Sequence, residues 1–144
     1  MTGWKIKPVI SLILVSHCRD IARGARELAV EMTQTPVSIS AVGGIIDEHG
    51  DYRLGTDAIA ILEEIQEHWS PDGVLLLVDL GSAVLSAELA IDMLPDDMRS
   101  VCLISNAPLV EGAVIAALEA SLQHSLDDVN QAAEAVRTLN KVAR

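Results

Sequence analysis

The chain opens on a near-continuous aliphatic run, Val9 to Val15, rich in β-branched residues. That is the pattern of a strand buried on both faces of a parallel sheet. After a loop at Ser16–Asp20, apolar residues recur at Ile21, Ala25, Leu28, Ala29 and Met32 with Arg23, Arg26, Glu27 and Glu31 between them, which predicts an amphipathic helix. Pro36 ends the turn, and Val37–Val42 alternates as a second strand. The polar, glycine-rich stretch Gly43–Gly55 predicts a long loop, which in a compact domain is often functional. Thr56 or Asp57 then caps a helix whose apolar face is Ala58, Ile61, Leu62, Ile65 and Trp69.

Ser70–Gly73 reads as a turn, and Val74–Val78 as a third, wholly apolar strand. After Asp79-Leu-Gly-Ser82 the pattern predicts a helix with Val84, Leu85, Leu89, Ala90 and Met93 inward, closed by Pro95, then a short strand at Val101–Ile104. Asn106–Gly112 is a predicted loop before a helix at Ala113–Leu122. A last helix over 126–140 is capped by Ser125, with Leu126, Val129, Ala133, Val136 and Leu139 on one stripe. The order predicts an α/β fold of three layers: a doubly wound, mainly parallel sheet of four to five strands with helices on both faces. Residues 1–144 form one expected domain, with 1–8 an N-terminal extension and 125–144 a C-terminal helix.

Composition narrows the function. With 21 acidic against 10 basic side chains the net charge is −11, and only 2% of residues are aromatic. Such a chain repels a phosphate backbone and offers few rings for base stacking, so nucleic acid and anionic membranes are excluded as partners. The apolar run near the N-terminus is too short to span a bilayer and lacks a cleavage pattern. Cys18 and Cys102 share no metal-ligand spacing, which fits a reduced, cytoplasmic setting without a metal. No nucleotide-loop or zinc signature is present, and no cofactor is expected.

In an open parallel sheet the ligand sits at the carboxyl ends of the strands. Those ends carry Ser16-His17-Cys18-Arg19, Gly43-Gly44, Asp79-Leu-Gly-Ser82 and Ser105-Asn106-Ala-Pro108. His17 is the candidate nucleophile, because a neutral imidazole can accept and release a group near pH 7; the competing reading is a packing or capping histidine. Asp79 can fix its tautomer and stabilise the ring after a group has added, or can serve the start of the next helix. Gly81 and Ser82 open that helix, where free N–H groups attract phosphate oxygens, and Ser82 can equally be a cap. Arg19, Arg23 and Arg26 lie near one stripe of the first helix, either as a solvated face or as a contact for a partner.

Several segments together resemble one family. Leu12-Ile-Leu-Val-Ser-His17, Gly44-Ile, Leu54-Gly-Thr-Asp-Ala58, Asp79-Leu-Gly-Ser-Ala-Val-Leu-Ser-Ala-Glu88 and Asn106-Ala-Pro-Leu-Val-Glu-Gly112 are similar to the phosphotransfer subunit of phosphoenolpyruvate-dependent dihydroxyacetone kinase. That subunit is similar in turn to the IIA domain of mannose-type sugar phosphotransferase systems. The resemblance implies a phosphotransferase component in which His17 is the phosphohistidine and Asp79 its orienting partner. Gly81 and Ser82 would bind phosphate, with weaker contributions from Ser16, Gly44, Thr56 and Asn106, and Arg19 and Arg23 would dock partners. It implies a histidine-containing phosphocarrier protein as donor, the ADP-binding subunit of the kinase as acceptor, and a homodimer.

Mannose-type domains typically show Gly-Gly-Ser-Pro after the third-strand Asp; Leu80-Gly-Ser-Ala83 favours the dihydroxyacetone branch. Cys18 stands where Ser is more familiar. Two rival readings stand beside this one: a IIA component that hands phosphate to a IIB permease subunit, and a receiver-like signalling domain with Asp79 as acceptor.

Overall fold

The computed structural model describes residues 6–144; the first five positions of the expected N-terminal extension lie outside the described residues. Four strands, β1 (Ser11–Ser16), β2 (Ile39–Gly43), β5 (Val74–Val78) and β6 (Cys102–Ile104), form one parallel sheet in the order β2-β1-β5-β6. The register places Val15 beside Val42 on one side and beside Val78 on the other. The chain steps from β1 outward to β2, then returns across β1 to build β5 and β6. The strand order therefore reverses between β1 and β5, where an open sheet leaves its crevice.

Alternation within the central strands supplies two cores. Leu12, Leu14, Leu75 and Leu77 face α1 (Arg19–Glu31), α5 (Leu109–Ser121) and α6 (Leu126–Ala135). Ile13, Val15, Val74, Leu76 and Val78 face α2 (Ala58–His68) and α3 (Gly81–Asp92). Burial of each large aliphatic side chain contributes about 1.5–3 kcal/mol, which holds the strand ends to a fixed geometry. The helices present mainly alanine to the sheet: Ala25 and Ala29 from α1, Ala83, Ala87 and Ala90 from α3, Ala113, Ala116, Ala117 and Ala120 from α5. Small faces let the helices sit close, so a chain without phenylalanine still fills its interior.

Four expectations need correction. The inward face of α3 is Ala83, Ala87 and Ala90, whereas Leu85 (70% exposed), Leu89 and Met93 point outward; with apolar residues all round, periodicity alone favoured the larger ones. The stretch Gly43–Gly55 is not one open loop but holds an antiparallel hairpin of β3 (Ile45–Ile46) and β4 (Tyr52–Arg53), separate from the main sheet. A short helix, α4 (Asp96–Arg99), follows Pro95. The C-terminal helix stops at Ala135, continues as a 3-10 turn over Val136–Thr138 and leaves Leu139 exposed. Elsewhere boundaries move by a few residues: α1 starts at Arg19, and α5 starts at Leu109 inside the predicted loop.

Candidate functional site

The switch point between β1 and β5 brings His17 and Asp79 together from positions 62 residues apart in sequence. His17 follows the last residue of β1 and Asp79 follows the last of β5, so the parallel register sets them side by side. The Asp79 N–H donates to the Val15 carbonyl at 3.1 Å, which extends the ladder to the site itself. Asp79 Oδ1 lies 3.0 Å from His17 Nδ1 and accepts the Leu80 N–H at 2.8 Å. Its Oδ2 accepts the His17 N–H and the Ser16 hydroxyl, each at 2.9 Å. Partial burial pushes the carboxyl upward, but the His17 N–H, the His17 ring, the Ser16 hydroxyl and the Leu80 N–H outweigh it and hold Asp79 below its ordinary value.

An ionised Asp79 can only accept, so the ring atom facing it, Nδ1, carries the proton. Nε2 then presents its lone pair, and the Ser82 hydroxyl meets it at 2.8 Å. Ser82 lies in the first turn of α3, which begins at Gly81 without a side-chain cap of its own. The exposed nitrogen thus faces a helix N-terminus, where unpaired N–H groups favour an anion. The His17 side chain retains 25% exposure, enough for a protein-borne group to reach it.

Ser16 is more central than a minor contributor. Fully buried, it donates to Asp79 and accepts the Cys18 N–H at 3.0 Å, tying the strand end to the first turn of α1. The other predicted residues separate. Gly44 (φ +72°) turns the chain beneath Tyr52, where any Cβ would clash with the ring. The Thr56 hydroxyl pairs with Ser86 at 2.7 Å, joining the start of α2 to α3 rather than meeting His17. Asn106 lines a groove of about 540 Å³ that runs from Asp79 and Gly81 along the β6 side. Arg19 sits at the start of α1 beside the site, while Arg23 and Arg26 line another groove with Glu64, Glu67 and His68. Arg26 Nε donates there to the Ile39 carbonyl at 2.6 Å.

Tyr52 was not legible as a site neighbour: its hydroxyl accepts the Arg19 N–H at 3.0 Å. The available signal was Ile45-Ile46 and Tyr52-Arg53 flanking a Gly50 turn, a hairpin pattern too short to stand out in a polar stretch. Among the described residues, one set of potential metal ligands converges, Glu64, Glu67 and His68, with their atoms within 4.8 Å of one another. They lie toward the opposite end of the sheet from His17, and Glu64 and His68 also bond to Ser40 and Ser38. Cys18 and Cys102 are free thiols, and burial pushes the Cys102 thiol up to about 11.

The family model described as PTS system fructose IIA component, EIIA-man, matches residues 11–130. The chain is 38% identical over 123 residues to the "PEP-dependent dihydroxyacetone kinase 2, phosphoryl donor subunit DhaM" of Listeria innocua, covering 85% of this chain and 95% of that protein. It is 37% identical over 131 residues to the "PEP-dependent dihydroxyacetone kinase, phosphoryl donor subunit DhaM" of Providencia stuartii, covering 90% of this chain but 27% of that longer protein. The fold superposes on a crystal structure described as "unknown function protein EF1359" with TM-score 0.77 and 34% identity, over 94% of this chain and 99% of that one. The parallel sheet, the helices on both faces and these matches agree, and the chain belongs to the EIIA-man family.

Proposed function

We propose that this chain is the phosphocarrier subunit of a phosphoenolpyruvate-dependent dihydroxyacetone kinase, working through a phosphohistidine at His17. The observation that carries the reading is the His17 ring held between Asp79 at Nδ1 and Ser82 at Nε2. The names of the Listeria and Providencia relatives and the Leu80-Gly-Ser-Ala83 sequence support the dihydroxyacetone branch over a sugar permease.

The relay has two steps. A phosphohistidine on the histidine-containing phosphocarrier approaches the exposed ring, and the Nε2 lone pair attacks phosphorus in line. The Nε2–P bond forms as the donor P–N bond breaks, and its electron pair returns to the donor ring. The adduct ring on His17 is cationic, and Asp79, ionised and bonded to Nδ1–H, stabilises it. The Ser82 hydroxyl and the N–H groups at the start of α3 turn to the phosphoryl oxygens. Positioning and charge stabilisation suffice for such a transfer. In the second step the Nε2–P bond breaks and the phosphoryl passes to the terminal oxygen of ADP on the kinase's nucleotide-binding subunit.

A receiver-like role for Asp79 fits this geometry poorly. Both carboxylate oxygens are committed to His17, Ser16 and Leu80, and the residues directly after β1 are His17 and Cys18, not an acidic pair. No helix among the described residues is long and apolar enough to cross a membrane. The homodimer belongs to the same proposal, supported by the outward apolar residues Leu85, Leu89 and Met93 along α3.

The discriminating experiment presents the phosphorylated chain separately to a purified ADP-loaded dihydroxyacetone kinase subunit and to a mannose-type IIB subunit. Loss of phosphate to the first with formation of ATP is expected. Transfer to IIB alone would replace this reading with the permease one.

A further inference from the structure

Helix α1 starts beside His17 without a cap of its own, since Cys18 at the N-cap makes no side-chain bond. The missing acceptor for the Arg19 N–H comes from the hairpin, as the Tyr52 hydroxyl at 3.0 Å. The same ring lies beneath the Arg19 side chain, with the guanidinium carbon 4.7 Å from its centroid, inside cation–π range. One side chain therefore grips Arg19 at both backbone and head group.

The hairpin is built to hold that ring still. Asp47 accepts from the His49 N–H, the Asp51 N–H and the Arg53 Nε–H, each at 2.9 Å, which closes the turn and pairs the Arg53 guanidinium. Gly44 supplies the space under Tyr52 that any Cβ would take. The Gly55 N–H donates to the His17 carbonyl at 2.8 Å, fastening the hairpin's exit to the site. Among the described residues Arg19 enters no ion pair, so its charge is held in place and still free to act.

A held cation matters because the substrate of the first step is a phosphoryl dianion on another protein, and this chain carries a net charge of −11. The net negative field is unfavourable for that dianion, and between Arg53 and Arg99 no Lys or Arg offsets it. A flexible arginine would lose rotamer freedom on meeting the phosphoryl group; one already stacked on a ring has lost much of it beforehand. We propose that Tyr52 is a positioning residue for the relay: it fixes Arg19, two residues beyond His17 at the start of α1, as the cation that receives the incoming phosphoryl-bearing partner. The inference rests on the carrier reading above.

The test measures initial rates of His17 phosphorylation against concentration of phosphorylated carrier protein, for the wild type, Tyr52→Phe, Tyr52→Leu, Arg19→Ala and the Tyr52→Leu/Arg19→Ala double variant, with thermal melting of each. Tyr52→Leu should raise KM on the order of fivefold with kcat little changed. Tyr52→Phe, which keeps the ring, should recover most of that loss. Arg19→Ala should match Tyr52→Leu, and the double variant should be no worse than Arg19→Ala alone. Wild-type KM in both Tyr52 variants, or a Tyr52→Leu loss that adds in full to Arg19→Ala, would overturn the inference while leaving the relay intact. If Tyr52→Leu does not fold, the comparison of Tyr52→Phe with Arg19→Ala decides: a Tyr52→Phe KM as high as that of Arg19→Ala overturns the ring's role. A wild-type chain that takes no phosphate overturns the carrier reading and this inference with it.

Discussion

At Asp79 four donors converge on two carboxylate oxygens, three of them from Ser16 and His17 at the end of β1. Its carboxyl is held below the ordinary value, so the folded state favours the ionised form. The stability this contributes is fully present above the unfolded aspartate pKa of about 3.9, and is lost as pH falls through that value and further toward the folded one. The melting-temperature difference between wild type and Asp79→Asn should therefore stay level from pH 7 to 5 and shrink below about pH 4; a difference that grows on acidification would contradict the assignment. In phosphoryl transfer Asp79→Asn should cost roughly 10- to 100-fold in rate with the fold retained, the scale seen for carboxylates that orient a metal-ligating histidine. Unchanged rates would remove Asp79 from the mechanism.

His17 and Asp79 were legible at this scale because both follow apolar strands whose ends must converge at the switch point. The role of Ser16 was less so. Its hydroxyl serves as donor to one residue and acceptor to another, and neither partner's geometry follows from the chain order alone.

Among the elements, the central strands β1 and β5 were the most legible, since a strand buried on both faces leaves an unbroken apolar run. Helix α3 was placed correctly, and Val84 and Ala90 pack inward as expected, but Leu85, Leu89 and Met93 face outward. Its packing face is alanine, chosen for close approach rather than for bulk, and hydrophobicity alone does not report closeness. The hairpin was missed because two-residue strands carry almost no periodic signal.

Close approach also reverses a usual helix rule at Gly112 in α5. Replacing a mid-helix glycine with alanine ordinarily gains up to about 1 kcal/mol. Here a Cβ would lie 2.7 Å from Ala107 Cβ and 3.0 Å from Leu77 Cδ2, between helix and sheet. Gly112→Ala should therefore destabilise the fold by about 1–3 kcal/mol in urea titration. A raised midpoint would show that α5 moves away freely, contrary to the packing described.

At the scale of the molecule, an aliphatic, aromatic-poor domain of net charge −11 is consistent with a carrier. A group held covalently on a surface histidine needs neither an aromatic pocket nor a nucleotide loop, only a fixed ring, a helix N-terminus and access. The three arginines read in sequence as one stripe divide in space: Arg19 stacks on Tyr52 of the hairpin, and Arg23 and Arg26 line a groove with Glu64, Glu67 and His68. Self-association is expected as well. Sedimentation should give twice the 15.4 kDa protomer mass, and a monomer at all concentrations would contradict that part of the proposal.

The most direct test of the central claim is intact mass after incubation with phosphoenolpyruvate, enzyme I and the phosphocarrier protein, read at neutral pH and after acid treatment. One added phosphoryl group is expected, lost in acid, absent from His17→Ala and present in Cys18→Ser. Labelling that survives His17→Ala, or an acid-stable adduct, would contradict it.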